Sequence, residues 1–149
     1  MTTQKKRIYT QIQHHLKKYL RQDSFFPVYE YLLKHPGKLF RPRLAEFCFN
    51  DFSKKLKDHD YSLRYLQSAL EIHHCYTLIH DDLPCMDNDD FRRGNLSTHK
   101  KFNDWKALLA GDGLLNLSWE MIINIEGPKK DVIQRIFAYF VGPRGLIRG

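Results

Sequence analysis

The sequence predicts an all-α protein, a bundle of long helices. Two observations carry that reading. Apolar residues recur at helical spacing in several segments, and no run alternates apolar and polar residues for the length of a strand. No internal repeat divides the chain. Its 149 residues suit one domain, and an apolar content of 42% with 13% aromatics supports a real core.

Ile12, Leu16 and Leu20 define an amphipathic helix over Tyr9–Leu20. Asp23-Ser24 with Pro27 marks a break, and Val28–Leu33 reads as a short second helix ending before His35-Pro36-Gly37. Pro42 sits near the start of the next apolar stretch, Leu44–Phe52, where a first-turn proline is tolerated. Residues 54–60 form a charged linker, with Lys54, Lys55 and Lys57 as a solvated face. Tyr61–His80 is helical on two faces: Leu63, Leu66 and Leu70 on one, Ile72, Tyr76 and Ile79 on another. That pattern predicts burial in a bundle. Arg92-Arg93-Gly94-Asn95 reads as a loop. Trp105–Ile125 is a long apolar helix interrupted at Gly111-Asp112-Gly113 and ended by Gly127-Pro128, and Asp131–Val141 is a further helix. Leu114, Leu115 and Leu117 are expected in the core, with Asp112 as a structural hydrogen-bonding group.

The net charge is +7, which suits nucleic acid, an anionic membrane surface or a small polyanionic substrate. Composition does not choose among them. Three cysteines, Cys48, Cys75 and Cys85, form no CxxC pair, so neither a disulfide framework nor a structural zinc site is implied. Nowhere do eighteen apolar residues run together, so no membrane span is expected, and a cytoplasmic setting is the default. There is no GxGxxG and no GxxxxGK[ST], so phosphates, if bound, are held by side chains and metal.

The chemistry concentrates between Ile79 and Gly94. Asp81, Asp82, Asp87, Asp89 and Asp90 follow a buried-looking helix, and carboxylates that close repel one another unless a cation sits among them. A hard, oxygen-seeking ion such as Mg2+ relieves that repulsion and shares its shell with substrate phosphates. Pro84 breaks the helix and lets the chain loop out before Asp87 returns, in a DDxxxxD arrangement. Arg92-Arg93 comes next, and arginine forks suit phosphate oxygens. Lys38 and Arg41 make a second basic cluster at a loop-to-helix junction.

These residues carry a family likeness. Gly37-Lys38-Leu39-Phe40-Arg41-Pro42 resembles the GKxxRP motif of trans-prenyl diphosphate synthases. Glu71 through Asp82 resembles the helix leading into their first aspartate-rich motif. Asp87 through His99 resembles the segment downstream of that motif, and Ala107 through Leu115 the next helix. The DDxxxxD form resembles the bacterial farnesyl diphosphate synthases. The likeness implies an incomplete bundle of long antiparallel helices of the isoprenoid synthase type, residues 1–149 being the N-terminal portion of one prenyl synthase domain. It implies head-to-tail condensation of an allylic diphosphate with isopentenyl diphosphate, with no nucleic-acid partner. By position, Asp81, Asp82 and Asp87 would bind Mg2+, with Asp81, Asp82 and Arg92 as the catalytic set and Arg92 on the allylic diphosphate. Lys38, Arg41, His74 and Arg93 would bind isopentenyl diphosphate. Tyr76 lies five residues before Asp81, about 7.5 Å along a helix. There it and Thr77 would floor the hydrocarbon pocket and imply a short, C15 product. A homodimer through Trp105–Ile125 is also implied.

The sequence departs from the family in two ways. Leu39 stands where a second basic residue is expected. The family's Lys-Thr pair, Phe-Gln pair and second aspartate-rich motif do not occur. The expectation is therefore a fragment, a prematurely ended gene or one half of a two-chain site, inactive alone. A non-catalytic diphosphate-binding remnant or partner subunit is the alternative. Other accounts do worse. Asp89-Asp90 alone suits a solvated loop, an EF-hand lacks its glycine, and an HD-type hydrolase built on His73 or His74 with His80-Asp81 leaves the arginines unexplained.

Overall fold

The computed structural model describes residues 2–52 and 60–148, so the Lys54, Lys55 and Lys57 linker lies outside the described residues. Among the described residues the helices are α1 (Thr3–Leu20), α2 (Phe26–Lys34), α3 (Phe40–Phe52), α4 (Asp60–Asp81), α5 (Thr98–Lys101), α6 (Asp104–Ile123) and α7 (Lys130–Val141). One small hairpin, β1 (Phe91–Arg92) with β2 (Asn95–Leu96), lies between α4 and α5. The fold is all-α, as the periodicity predicts.

The central pair is α4 and α6, which run antiparallel. Ser62 Oγ at the start of α4 donates to the Glu126 carbonyl just past α6 (2.9 Å), while His80 Nε2 at the end of α4 lies 3.1 Å from the Leu108 carbonyl near the start of α6. Ile72, Cys75 and Ile79 face Ala107, Ala110, Leu114 and Met121 within one core. Helix α1 adds Ile8, Ile12 and Leu16 and is held along α4 by His15 Nδ1 to Ser68 Oγ (2.8 Å) and Gln11 Nε2 to the Arg64 carbonyl (2.8 Å). Leu63, Leu114 and Leu117 are buried as expected; Leu66, Leu70 and Tyr76 only partly.

Four expectations need correction. Helix α1 starts six residues before Tyr9, because the Thr2 hydroxyl accepts from Lys5 N and caps a polar first turn that carries no apolar signal. Helix α6 is not interrupted at Gly111-Asp112-Gly113. A Cβ on Gly111 would lie 2.1 Å from His80 Nε2, and one on Gly113 would lie 2.3 Å from the Tyr29 hydroxyl, so these glycines permit close packing inside a continuous helix. Residues 92–95 are the tip of a hairpin: Arg92 pairs with Asn95, and Arg93 (φ 54°) and Gly94 (φ 79°) make the two-residue turn. Positive φ at both turn residues matches the twist of the flanking strands. Asp112 accepts no side-chain hydrogen bond among the described residues; it is an exposed residue of α6, 3.8 Å from His80 Nε2.

Apolar rows remain open to solvent on α3 (Phe40, Leu44, Phe47) and on α7 (Val132, Ile136, Tyr139, Phe140). Among the described residues no helix is long and apolar enough to cross a membrane.

Candidate functional site

The loop between α2 and α3 turns at Leu39, whose φ of 51° is rare for a branched residue. Leu39 points inward, 2% exposed, and so supplies packing where a further charge was expected. This turn delivers Lys38 and Arg41 to the rim of a cleft of about 680 Å³. The middle of α4 contributes Glu71 and His74, the hairpin tip contributes Arg93, and α1 contributes Lys5. The four residues expected to hold one diphosphate, Lys38, Arg41, His74 and Arg93, therefore meet on one surface. Gly37 makes this possible, because a Cβ there would sit 2.6 Å from the Arg93 guanidinium carbon. Arg93 Nη1 also donates to the His35 carbonyl at 3.1 Å, which holds the hairpin tip over the loop.

Burial pushes His74 down to about 4, helped by Arg41 and Arg93, so its ring is neutral near pH 7. A neutral ring with one N–H can donate to an anion without adding charge. Glu71 is 3% exposed; burial raises its pKa, with Arg93, Arg41 and Lys5 opposing. It is the carboxylate of an otherwise cationic cleft.

The aspartate segment begins where α4 ends. Met86 N and Asn88 N both donate to the Leu83 carbonyl (2.9 and 3.1 Å), and Asp87 N donates to the Asp81 carbonyl at 2.8 Å. The detour at Pro84 thus closes, and Asp87 returns beside Asp81 as the spacing predicts. Asp82 behaves differently. It is 2% exposed and holds Arg92 through Nε at 2.8 Å and through Nη2, while Arg92 Nη2 also reaches Asp89 at 3.3 Å. Asp90 pairs with Lys100 at 2.8 Å, so Asp89 and Asp90 form ion pairs rather than a purely solvated run. Among the described residues no group of three or more His, Cys, Asp or Glu side chains is assembled to hold a metal. The donor chemistry nonetheless fits a hard cation. Asp81 and Asp87 are joined through the backbone, and neither side chain has an ion-pair or hydrogen-bond partner among the described residues.

Tyr76 is half-buried one turn before this loop, edge-on to His73 (5.0 Å between ring centroids) and His80 (5.1 Å). Thr77 donates to the His74 carbonyl (2.9 Å) and lines a smaller cleft with Phe137 and Phe140. Lys5 and Glu71 were not singled out from sequence. Lys5 carries no local signal, whereas Glu71, a lone carboxylate in the buried stretch of α4, is one that burial logic could have found.

Solved structures of similar architecture define the class. An isoprenoid synthase family member from Thermotoga neapolitana superposes with a TM-score of 0.81 at 31% identity, over 94% of this chain and 52% of that one. A geranyltransferase from Legionella pneumophila gives 0.79 at 30%, over 96% and 52%. The bundle is thus of the isoprenoid synthase type. The family model described as polyprenyl synthetase matches residues 22–141, and the chain belongs to that family. Among curated relatives, farnesyl diphosphate synthase of Bacillus subtilis is 40% identical over 122 residues, covering 82% of this chain and 40% of the relative. That of Buchnera aphidicola from Schizaphis graminum is 49% identical over 108 residues, covering 72% and 35%. The chain spans about half the length of these solved structures and less of the curated relatives.

Proposed function

We propose that this chain forms the substrate-binding wall of a prenyltransferase that joins an allylic diphosphate to isopentenyl diphosphate. The convergence of Lys38, Arg41, His74 and Arg93 on one cleft, beside the Asp81–Asp87 loop on the same helix, is the observation that carries the proposal. In this reading the cleft fixes the isopentenyl diphosphate through its cations and the neutral His74 ring. Asp81 and Asp87, with Asp82 behind them, would hold Mg2+, which when bound would offset the charge of the allylic diphosphate. Arg92, kept in place by Asp82, donates to the same leaving group. The allylic carbon–oxygen bond breaks with its electron pair leaving on diphosphate. The isopentenyl double bond attacks the resulting cation, and loss of a proton restores the alkene. Tyr76 and Thr77 bound the hydrocarbon side and favour a C15 product.

The relatives' greater length and the open apolar rows on α3 and α7 support a site completed by further helices. Exposed Trp105, Leu108 and Leu109 on α6 support a homodimer. Free cysteines, two of them exposed, support a reducing, cytoplasmic setting.

The test is a prenyl-transfer assay on the 149-residue chain with Mg2+, isopentenyl diphosphate and geranyl diphosphate, paired with binding of each diphosphate by calorimetry. Binding without turnover is expected, and fits either a half-site or a non-catalytic partner subunit. Turnover by the chain alone would refute its expected inactivity, and failure to bind either diphosphate would refute the site.

A further inference from the structure

We propose that Lys5, in the first turn of α1, is a further diphosphate ligand of the cleft, in a site whose own loop carries the apolar Leu39. The inference rests on the diphosphate reading of the cleft. Three observations converge on it.

The first is position. Lys5 lines the same cleft as Lys38, Arg41 and Arg93, although it lies more than thirty residues before them in the chain. It is half-buried, not a freely waving surface lysine.

The second is anchorage. Gln4 Nε2 donates to Glu46 Oε2 (3.1 Å), Arg7 pairs with Glu46 Oε1, and Arg43 Nε donates to Gln4 Oε1 (3.3 Å). The residues flanking Lys5 are therefore tied to α3, the helix that begins with the cleft's own loop. That anchorage fixes the Lys5 stem over the cleft.

The third is charge. The first turn of α1 holds no acidic residue but does hold Lys5 and Lys6, with Arg7 next, cations at the helix end where the dipole disfavours them. Arg7 offsets this through Glu46. Lys5 has no ion pair or side-chain hydrogen bond among the described residues, and Glu71, a buried carboxylate whose charge it favours, is shared with Arg41 and Arg93. One buried carboxylate cannot balance these cations, whereas a bound diphosphate can.

The experiment is calorimetric titration of the 149-residue chain with inorganic pyrophosphate, without metal and at low salt. Lys5→Ala is expected to weaken binding about three- to fivefold, the size of one partly exposed charge contact. Lys5→Arg should retain it, and Lys6→Ala, on the exposed side of the same turn, should change nothing. If Lys38→Ala and Arg41→Ala weaken binding while Lys5→Ala does not, Lys5 is not a ligand although the cleft stands. If none of the three changes binding, the diphosphate reading of the cleft fails and the Lys5 assignment falls with it.

Discussion

The cationic cleft draws its charges from four separate elements between Lys5 and Arg93, whereas the aspartate loop takes its carboxylates from one short run, Asp81–Asp90. Helix packing builds the cleft. Gly37 admits Arg93, and the His35 carbonyl steadies it. The loop is built by local turns, and part of its charge is already offset: Arg92 occupies Asp82 and Asp89, and Lys100 occupies Asp90. Asp81 and Asp87 form no ion pair among the described residues, although Arg92 acts on Asp81 at longer range. In the proposed reading, the cleft is ready for an anion as it stands, and the loop is completed by a cation. The like charges of the cleft come from separate segments of the chain, α1, the α2–α3 loop, α3 and the hairpin; in the loop they are sequence neighbours, and part of the repulsion is relieved by pairing.

The largest effect that separates the walls should come from Asp81→Ala. It is expected to weaken Mg2+-dependent binding of geranyl diphosphate about 100-fold, in the range typical of disrupted metal sites. Metal-free pyrophosphate binding in the cleft should not change. Calorimetry with and without EDTA checks both, and intact Mg2+-dependent binding in the variant would sink the metal assignment. Next, Arg93→Ala should cost isopentenyl diphosphate binding about 30-fold, the scale of a charge-assisted contact, with or without Mg2+. Gly37→Ala should reproduce part of that loss with little change in the urea midpoint, because the added methyl displaces a flexible guanidinium rather than backbone.

Gly111→Ala strikes the scaffold under both walls. Its Cβ would collide with the His80 ring, and a loss of about 2 kcal/mol in unfolding free energy is expected from such overpacking. Unchanged stability would mean that α4 and α6 are not so closely apposed.

The smallest effect per residue is on pH dependence. Burial pushes His15, His73 and His74 down to about 4 from the ordinary 6.5. As pH falls below 6.5 the unfolded chain takes up protons that the folded chain refuses until about 4, so stability is full above that window and lost within it. A decrease of about 1.5 kcal/mol per histidine between pH 7 and pH 5 is expected. His73, whose Nε2 is buried without a hydrogen-bond partner among the described residues, should contribute to that slope, so His73→Phe should flatten it in urea titrations at the two pH values.

The aspartate loop was legible because its logic is local: a pair, a proline detour and a returning carboxylate all lie within seven residues. The cleft was legible only as a family motif, since nothing in the spacing of Lys38, His74 and Arg93 says that they meet. Lys5 was invisible for the same reason. The hairpin escaped because two-residue strands have no alternation to detect, and its turn uses Arg-Gly instead of the usual Asn-Gly. Gly111 and Gly113 read as a helix break because sequence does not show the His80 ring and Tyr29 hydroxyl that need their space.

The most direct test of a preassembled, metal-independent cleft is titration of the chain with isopentenyl diphosphate in EDTA. Saturable binding that survives Asp81→Ala and is lost in the Arg41→Ala/Arg93→Ala double variant is the predicted result. Binding that appears only when Mg2+ is added, or that disappears with Asp81→Ala, would contradict it.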